Sequence, residues 1–395
     1  MVWRQGRNFL GGAVIGALSI SAQAQSKVTL YGLIDEGFMY QSNVGGATGG
    51  KKFSLDSASG IQGSRWGMSG AEDLGGGLNA IFTLESGVNI NNGAFGQGGT
   101  AFGRQAFVGV SSSRYGSLTL GRQYDMILYF GQPYTTAGMV GSVLFDHPGD
   151  LDNTGNSVRA NNAIRYMSPD FSGLTFGGEY SVGGVAGNVT ASSGYSLGTS
   201  YVRGPLSVGA AFSYFKNPTS ATAGGGFFTD NANGATTLAY SLNKGYASAN
   251  SYQVAVVGIK YTIGSVELAT SYSNTQYGNL GPSLLGGVAR FNNVDFSVKY
   301  TYGPSLFLSA GYDYLVGKGV TTADGKTVGN QHYNQVSVMA DYYLSKRTDV
   351  YAGAAWQRAS GTSSTGAPAV ADITNLGDSS NNHQIVVRVA LRHKF

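Results

Sequence analysis

The chain contains 395 residues and carries a small formal net charge of +4. Charged residues make up 12% of it, about half the share that is usual in soluble globular proteins. The lysines and arginines are scattered among acids, without a basic stripe beside stacking aromatic residues, which excludes a nucleic-acid-binding protein. Cysteine is absent. Glycine is abundant (62 residues), but proline is scarce (8), and this scarcity argues against a disordered Pro/Gly-rich tract.

The N-terminal segment has the three parts of a secretory signal peptide. Two arginines supply positive charge, residues 9–20 form an apolar stretch, and residues 22–24 (Ala-Gln-Ala) form a small-residue cleavage site. About 20 apolar residues are needed to span a bilayer, so the apolar stretch is too short for a membrane anchor. We therefore expect residues 1–24 to be removed during export through the periplasm and residues 25–395 to form one folded domain.

Residues 383–395 show the alternation of a two-faced β-strand. One face is mostly apolar and carries Ile385, Val387, Val389, Leu391, His393 and Phe395. The opposite face is mostly polar and carries Gln384, Val386, Arg388, Ala390, Arg392 and Lys394. Side chains of a strand alternate between its faces, and in a transmembrane barrel the apolar face meets lipid while the charged face lines water.

Similar alternating segments recur along the chain. They predict sixteen strands over residues 27–41, 59–72, 78–87, 102–111, 117–124, 160–167, 174–182, 195–202, 206–215, 252–262, 266–273, 291–302, 306–315, 333–344, 350–358 and 383–395. The connections alternate between short turns and long polar loops, which is typical of an up-and-down membrane barrel. The sequence therefore predicts an all-β protein, a sixteen-stranded antiparallel transmembrane β-barrel.

Two charged residues do not fit the alternation. Arg122 shares a face with Leu118 and Leu120, and Glu36 lies beside apolar residues of the first strand. A basic side chain facing lipid at mid-depth costs about 2–4 kcal/mol. Either Gly121 marks a bulge that changes the facing of Arg122, or that face packs against protein. Packing between subunits would relieve both residues.

Several stretches of the chain resemble the general, non-specific porins of the Gram-negative outer membrane, in their beta-proteobacterial form. The matching stretches are VTLYGLID at 28–35, SRWGMSGAEDLGGG at 64–77, LNAIFTLE at 78–85, GRQAFVGV at 103–110, GSLTLGRQYD at 116–125, RANNAIRYM at 159–167 and the terminal Phe395. This resemblance implies homotrimers in outer-membrane lipid, each barrel with its own aqueous pore for ions and small hydrophilic solutes. It also implies that the protein binds no cofactor and is not an enzyme.

The resemblance further implies which residues narrow the pore. The loop at 125–158 is expected to fold into the barrel as a constriction loop. The wall arginines that match are Arg65, Arg122 and Arg159, with Arg104 and Arg165 as further candidates. The loop acids would be Asp146, Asp150 and Asp152. Phe395 is expected to be the assembly signal that the insertion machinery recognises.

The sequence gives little support for enzymes or metal proteins. Residues 194–198 (Gly-Tyr-Ser-Leu-Gly) match a nucleophile-elbow pattern, but that elbow needs a strand-to-helix turn, and this stretch begins a predicted strand. The four histidines are dispersed and form no metal-ligand spacing. A substrate-specific outer-membrane channel, or an adhesin or receptor barrel that uses the long loops, remains an alternative function.

The distribution of charge leads to one hypothesis on selectivity. The final strand places Arg388, Arg392 and Lys394 on its lumen face, in addition to the matching wall arginines, and the loop acids offset them only in part. Arginine and lysine side chains arranged around a pore favour the passage of anions, whereas acidic side chains favour cations. We therefore expect a weak preference for anions.

Overall fold

The computed structural model describes residues 27–45, 49–219 and 238–395. The expected signal peptide lies outside these residues. In chain order the strands are β1 (Lys27–Gln41), β2 (Lys52–Asp56), β3 (Arg65–Gly75), β4 (Leu78–Gly87), β5 (Gln105–Ser112), β6 (Gly116–Gln123), β7 (Ala160–Met167), β8 (Leu174–Ser181), β9 (Gly194–Arg203), β10 (Leu206–Lys216), β11 (Ser251–Ile263), β12 (Val266–Gly278), β13 (Ala289–Tyr302), β14 (Leu306–Lys318), β15 (Val320–Thr321), β16 (Thr327–Val328), β17 (His332–Tyr343), β18 (Thr348–Ser360), β19 (Asp372–Ile373), β20 (Gly377–Asp378) and β21 (His383–Lys394).

These strands close into a sixteen-stranded antiparallel barrel, which confirms the predicted fold class. The ring closes where residues 33–41 of β1 pair with residues 386–394 of β21. On the other side of β1, β2 and β3 share one position in the barrel, since each pairs with a different half of β1. The short strands β15, β16, β19 and β20 pair only with one another in loops outside this ring.

The second predicted strand differs from the observed one. It was expected over residues 59–72, but β3 begins at Arg65, and the unpredicted β2 precedes it. The residues between them turn into the barrel, where the backbone N–H of Gln62 donates to the Asp35 carboxylate at 3.3 Å. Gly60 permits this path, because a Cβ at that position would lie 2.4 Å from the same carboxylate.

Burial along the strands follows the predicted alternation of faces. In β21 the apolar side chains that point outward are exposed: Ile385, Val387, Val389 and Leu391. The side chains between them are buried inside the barrel: Gln384, Val386, Arg388, Ala390 and Arg392. Exposed apolar side chains form the outer face of the other strands as well, as expected of a surface in contact with lipid.

The strands are joined by short turns at one end of the barrel and by longer loops at the other. Gly204, Gly264 and Gly303 lie in three of the short turns with φ of 57°, 57° and 60°. Glycine adopts this left-handed conformation without the steric cost that a Cβ brings. Within the described residues, no helix is long and apolar enough to cross a bilayer.

The long connection between β6 and β7 lies inside the barrel, as the resemblance implied. It contains one short helix, α1 (Thr136–Val140), and four single turns, Ile127–Gly131, Gln132–Tyr134, Val143–Phe145 and Pro148–Asp150. We call residues 125–158 of this connection the inserted loop. Most of its apolar side chains are buried, so it is a packed part of the barrel interior.

Wall glycines allow the inserted loop to lie close to the barrel. A Cβ at Gly209 would lie 2.1 Å from the Tyr134 ring, and one at Gly258 would lie 2.3 Å from the Tyr134 Cβ. The Tyr134 hydroxyl donates to the Val208 carbonyl at 2.9 Å. Small wall residues and this hydrogen bond therefore fix the loop against β10 and β11.

An aromatic core fills part of the barrel interior next to the inserted loop. Its fully buried rings are Phe215, Tyr246, Tyr252, Tyr277, Phe291 and Tyr333. Tyr252 also donates to the carbonyl of Leu151 in the inserted loop at 2.9 Å. None of the residues of this core borders the open cleft, which lies next to the ends of β3, β4 and β5.

Candidate functional site

A cleft of about 590 Å³ lies between the barrel wall and the inserted loop. The charged residues that line it are three arginines and one aspartate, namely Arg65, Arg104, Arg159 and Asp146. The arginines stand at the starts of three wall strands or just before them, and the aspartate belongs to the inserted loop. The cleft is therefore rich in positive charge on the wall side.

Arg104 is held by an acid of the neighbouring strand. Its Nε donates to Oε1 of Glu85 at 2.7 Å, and the two side chains are only 11% and 8% exposed. The hydroxyl of Tyr31 donates to the other carboxylate oxygen at 3.0 Å. Glu85 is itself absent from the residues that line the cleft.

Arg159 lies against an aromatic ring and a backbone carbonyl. Its guanidinium carbon is 5.0 Å from the centroid of the Tyr124 ring, and Nη2 donates to the Tyr124 hydroxyl at 3.3 Å. Nη1 donates to the carbonyl of Ser157 at 2.9 Å. These contacts hold the guanidinium plane at the edge of the cleft.

Arg65 differs from the other two arginines of the cleft. Within the described residues its guanidinium has no hydrogen-bond or ion-pair partner, although the side chain is half-buried and lines the cleft. None of its nitrogen atoms is both buried and without a partner, so its donors face the solvent of the cleft. Arginine stays charged at any working pH and presents a planar fork of donors that suits carboxylates and phosphates.

Two other candidate arginines lie outside the cleft lining. Arg122 shares the outward face of β6 with Leu120, and its Nε donates to the carbonyl of Gly103 at 2.8 Å. Gly121 has a φ of 139° and marks an irregularity in the pairing of β6 with β7. Polar groups of the same chain thus satisfy Arg122. Arg165 points inward and donates to the Tyr129 hydroxyl at 2.5 Å.

Two of the three candidate acids are bonded to other groups of the chain: Asp150 within the inserted loop, and Asp152 both within the loop and to the hydroxyl of Ser273 on wall strand β12. Asp150 accepts hydrogen bonds from the backbone N–H groups of Gly155 and Ser157 at 2.6 and 2.9 Å. Asp152 accepts from the Thr154 hydroxyl at 2.9 Å. Both are almost fully buried and lie outside the cleft lining, whereas Asp146 lines it. Their roles in the pore stay predictions.

His147 joins the inserted loop to the wall strands through carboxylates. Nδ1 lies 2.7 Å from Asp152, and Nε2 lies 3.0 Å from Asp295 of β13 and 3.5 Å from Asp313 of β14. Since each ring nitrogen faces a carboxylate, the imidazole fits this site best when both nitrogens are protonated. Burial disfavours the charged ring, but the carboxylates of Asp152 and Asp313 raise the pKa of His147 well above its usual value.

The basic residues of β21 are largely paired with acids of the wall. Arg388 is fully buried and lies 2.9 Å from Asp35 and 3.4 Å from Asp56. Arg392 lies 3.0 Å from Asp349. Both point into the barrel as expected, but neither lines the cleft. Their charges are compensated locally, so they add little to the field that a solute in the cleft meets.

The comparison with protein families decides the identity of the chain. Residues 11–362 match the family model described as Gram-negative porin. The chain belongs to this family. An outer membrane porin of Bordetella pertussis is 31% identical to this porin over 386 residues, which cover 88% of this chain and 92% of that protein. Outer membrane porin protein 32 of Delftia acidovorans is 30% identical over 399 residues, covering 96% and 97%.

Solved structures share the fold of this porin. An anion-selective porin from Comamonas acidovorans has a TM-score of 0.69 at 22% identity, covering 94% of this chain and 100% of that one. A trimer form of OmpT from Vibrio cholerae has a TM-score of 0.61 at 14% identity, covering 94% and 99%. The match to the family model and the two relatives at 30% identity or more confirm the predicted family. The protein is an outer-membrane porin that forms a water-filled channel for passive diffusion of ions and small hydrophilic solutes.

Sequence reasoning missed part of the environment of the porin's cleft. Glu85 lies in one of the stretches that resemble porins, but the resemblance does not indicate that it pairs with Arg104. Neither Tyr124 nor His147 is among the site residues predicted from the sequence. A signal was present for Glu85, because an acid on a strand that neighbours two arginine-bearing strands invites an ion pair. His147 gave no signal, since Asp295 and Asp313 lie about 150 residues away in sequence.

Proposed function

We propose that the cleft between the inserted loop and the wall strands is the constriction of the channel, and that it favours small anions. The observation that carries this proposal is the charge of its lining, three arginines against one aspartate. Fixed positive charge lining a pore attracts anions and repels cations. Arg65 makes the strongest contribution, because its guanidinium faces solvent in the cleft.

The loop acids have different parts in this proposal. Asp146 lines the cleft and offsets part of the positive charge opposite it. Asp150 and Asp152 hold the inserted loop in shape, so they set the width of the constriction indirectly. Arg122 supports the wall through its bond to the Gly103 carbonyl and affects solutes less than Arg65 does.

The anion preference is expected to be weak and to depend on salt. The Debye length falls from about 10 Å at 0.1 M to about 3 Å at 1 M ionic strength, so concentrated salt screens the arginines. One solved structure with the same fold is described as an anion-selective porin, which is in keeping with the proposal.

The zero-current potential across a planar bilayer tests this proposal. Purified protein is inserted into a bilayer that separates two KCl solutions of different concentration. The sign of the zero-current potential is expected to show that chloride crosses more readily than potassium. The potential is expected to decline as both solutions are made more concentrated. A clear potassium preference in dilute KCl would overturn the proposal, as would a potential that is unchanged when Arg65, Arg104 and Arg159 are all replaced by glutamine.

We also propose that the porin works as a homotrimer in outer-membrane lipid. Glu36 and Arg122 are charged residues on the outward face of the barrel. Glu36 accepts a hydrogen bond from the side chain of Asn91, and Arg122 donates one to the Gly103 carbonyl. Such a polar patch suits contact with protein better than contact with lipid. A trimer form is described for one structural neighbour. A species of trimer mass in mild detergent that dissociates on heating is expected, and a monomer that heat does not change would contradict the proposal.

Export and assembly complete the proposal. Residues 1–24 would direct the chain to the periplasm and be cleaved there, and Phe395 would mark the folded strand for insertion. We propose no catalytic activity and no cofactor for this porin, since its family and fold are those of channels. N-terminal sequencing of protein from outer membranes tests cleavage, and a mature chain that retains residues 1–24 would contradict it.

A further inference from the structure

Glu85 lies between the two strands that bring arginines to the wall of the cleft. It stands near the end of β4, opposite Gly67 of β3 on one side and Gln105 of β5 on the other. Arg65 begins β3, and Arg104 directly precedes β5. A buried acid at this position lies between arginines that, in the proposed function, attract anionic solutes.

The carboxylate of Glu85 is held on both oxygens. Oε1 accepts from Nε of Arg104 at 2.7 Å, and Oε2 accepts from the hydroxyl of Tyr31 at 3.0 Å. Gly67 leaves room for the second contact, because a Cβ at that position would lie 2.9 Å from the Tyr31 ring. The carboxylate therefore occupies one place, and its charge acts on the cleft from a fixed point.

We propose that Glu85 is a specificity-determining residue of the channel, a fixed negative charge within the arginine wall that limits the preference for anions. Its pairing with Arg104 offsets the charge of one of the three arginines, which leaves Arg65 and Arg159 to dominate the field in the passage. This inference rests on the proposed function, since it concerns the charge of the same constriction.

Replacing Glu85 with glutamine removes the negative charge of the side chain while keeping nearly the same shape. The amide has the length of the carboxylate and still accepts a hydrogen bond from Tyr31, but the negative charge is gone. The ratio of chloride to potassium permeability is expected to rise about two- to fivefold, because removing the charge that offsets Arg104, which lines the cleft, changes the energies of the two ions in opposite directions.

The measurement is the zero-current potential in dilute KCl for wild type and variants. Glu85→Asp retains the charge and is expected to stay near wild type. Glu267→Gln is a matched control, because Glu267 is also a wall acid in an ion pair, 2.8 Å from Lys299, but its partner does not line the cleft, whereas Arg104, the partner of Glu85, does. Its potential is expected to equal that of wild type.

A double variant keeps the test valid if the single variant Glu85→Gln misfolds. Glu85→Gln combined with Arg104→Gln removes both charges of the pair and leaves no buried charge unpaired. Its potential is expected to return close to wild type, whereas Arg104→Gln alone is expected to shift toward potassium. If Glu85→Gln assembles poorly, the difference between Arg104→Gln and the double variant measures the same charge.

The outcomes separate this inference from the function on which it rests. If wild type prefers potassium but loss of Glu85 still shifts the potential toward chloride, the proposed anion preference fails and the role of Glu85 stands. If replacing the arginines changes the potential but Glu85→Gln behaves like Glu267→Gln, and the double variant like Arg104→Gln, the inference about Glu85 is overturned and the proposed function stands.

Discussion

The imidazole Nε2 of His147 lies 3.0 Å from the Asp295 carboxylate, which joins the inserted loop to wall strand β13. Asp295 in turn accepts hydrogen bonds from Ser271 on the neighbouring strand and from the backbone of Thr136 in the loop. The position of the loop in this porin therefore depends on a buried charged group and not on apolar packing alone.

Replacing His147 with glutamine is expected to loosen the inserted loop. The change leaves several buried carboxylates without their cation, and breaking a buried ion pair costs about 3–5 kcal/mol. Thermal unfolding of the purified protein and current noise of single channels measure the two consequences, a lower midpoint and a noisier open state. His383→Gln is the control, because His383 is exposed at the outer end of β21. Equal midpoints for the two variants would contradict the anchoring role.

The contribution of His147 to stability is expected to depend on pH. Its pKa is raised in the folded state, so the stabilisation is fully present below the pKa of an unfolded histidine, about 6.5, and is lost as pH rises through the raised folded-state value. The difference in unfolding midpoint between wild type and His147→Gln should thus be large at neutral pH and shrink in alkaline buffer. A difference that grows with pH would show that the ring is neutral in the native protein.

Arg65 and Arg122 are expected to differ in their effects on selectivity. Arg65 lines the cleft, whereas Arg122 lies outside the lining and bonds to the Gly103 carbonyl. Arg65→Ala should lower the chloride-to-potassium permeability ratio by about two- to fivefold, since it removes a charge beside the ion path. Arg122→Ala should change this ratio little. Zero-current potentials of the two variants in dilute KCl test this difference. A larger effect for Arg122→Ala would show that the ion path does not run through the cleft.

Gly209 is expected to be essential for seating the inserted loop. A Cβ there would lie 2.1 Å from the Tyr134 ring, so Gly209→Ala must displace the loop or the wall. Overpacking of this kind costs about 1–3 kcal/mol, and single-channel conductance should change with the loop position. Gly178→Ala is the control, because its new methyl group would meet the end of the flexible Leu197 side chain at 3.0 Å and the Ser196 carbonyl at an ordinary contact distance of 3.7 Å. Identical conductance in the two variants would count against the close contact.

Phe395 is expected to matter more for assembly than for stability. Its backbone pairs with Gly32 of β1, and its ring remains 45% exposed, so little apolar surface is lost when the ring is removed. Phe395→Ser should lower the amount of folded porin in the outer membrane, whereas Phe395→Tyr should keep it. Folded and unfolded protein are separated by heat-dependent gel migration. Equal folded yields for the two variants would argue against an assembly signal.

The strands of this porin were largely predictable because their faces alternate between lipid and lumen at every second residue. The prediction failed for residues 59–64, which contain no break in composition yet turn inward to Asp35. That turn depends on hydrogen bonds to Asp35 and Tyr351 from distant strands. A periodic pattern does not contain such information.

The candidate site was predictable only in outline. The resemblance supplied Arg65, Arg159 and the inserted loop, all of which border the cleft. It did not indicate which charges are compensated. The pairing of Arg388 with Asp35 joins residues that are 353 positions apart, and only closure of the barrel brings them together.

The aromatic core has a consequence for how this porin meets its surroundings. It occupies one side of the barrel interior, beneath loop residues such as 238–250 and 279–288. None of the residues of this core lines the cleft, so the proposed passage for solutes lies to one side of the barrel, away from these loops. Sequence change in these loops, for instance under selection by antibodies or phages, is therefore expected to leave the uptake of solutes unchanged.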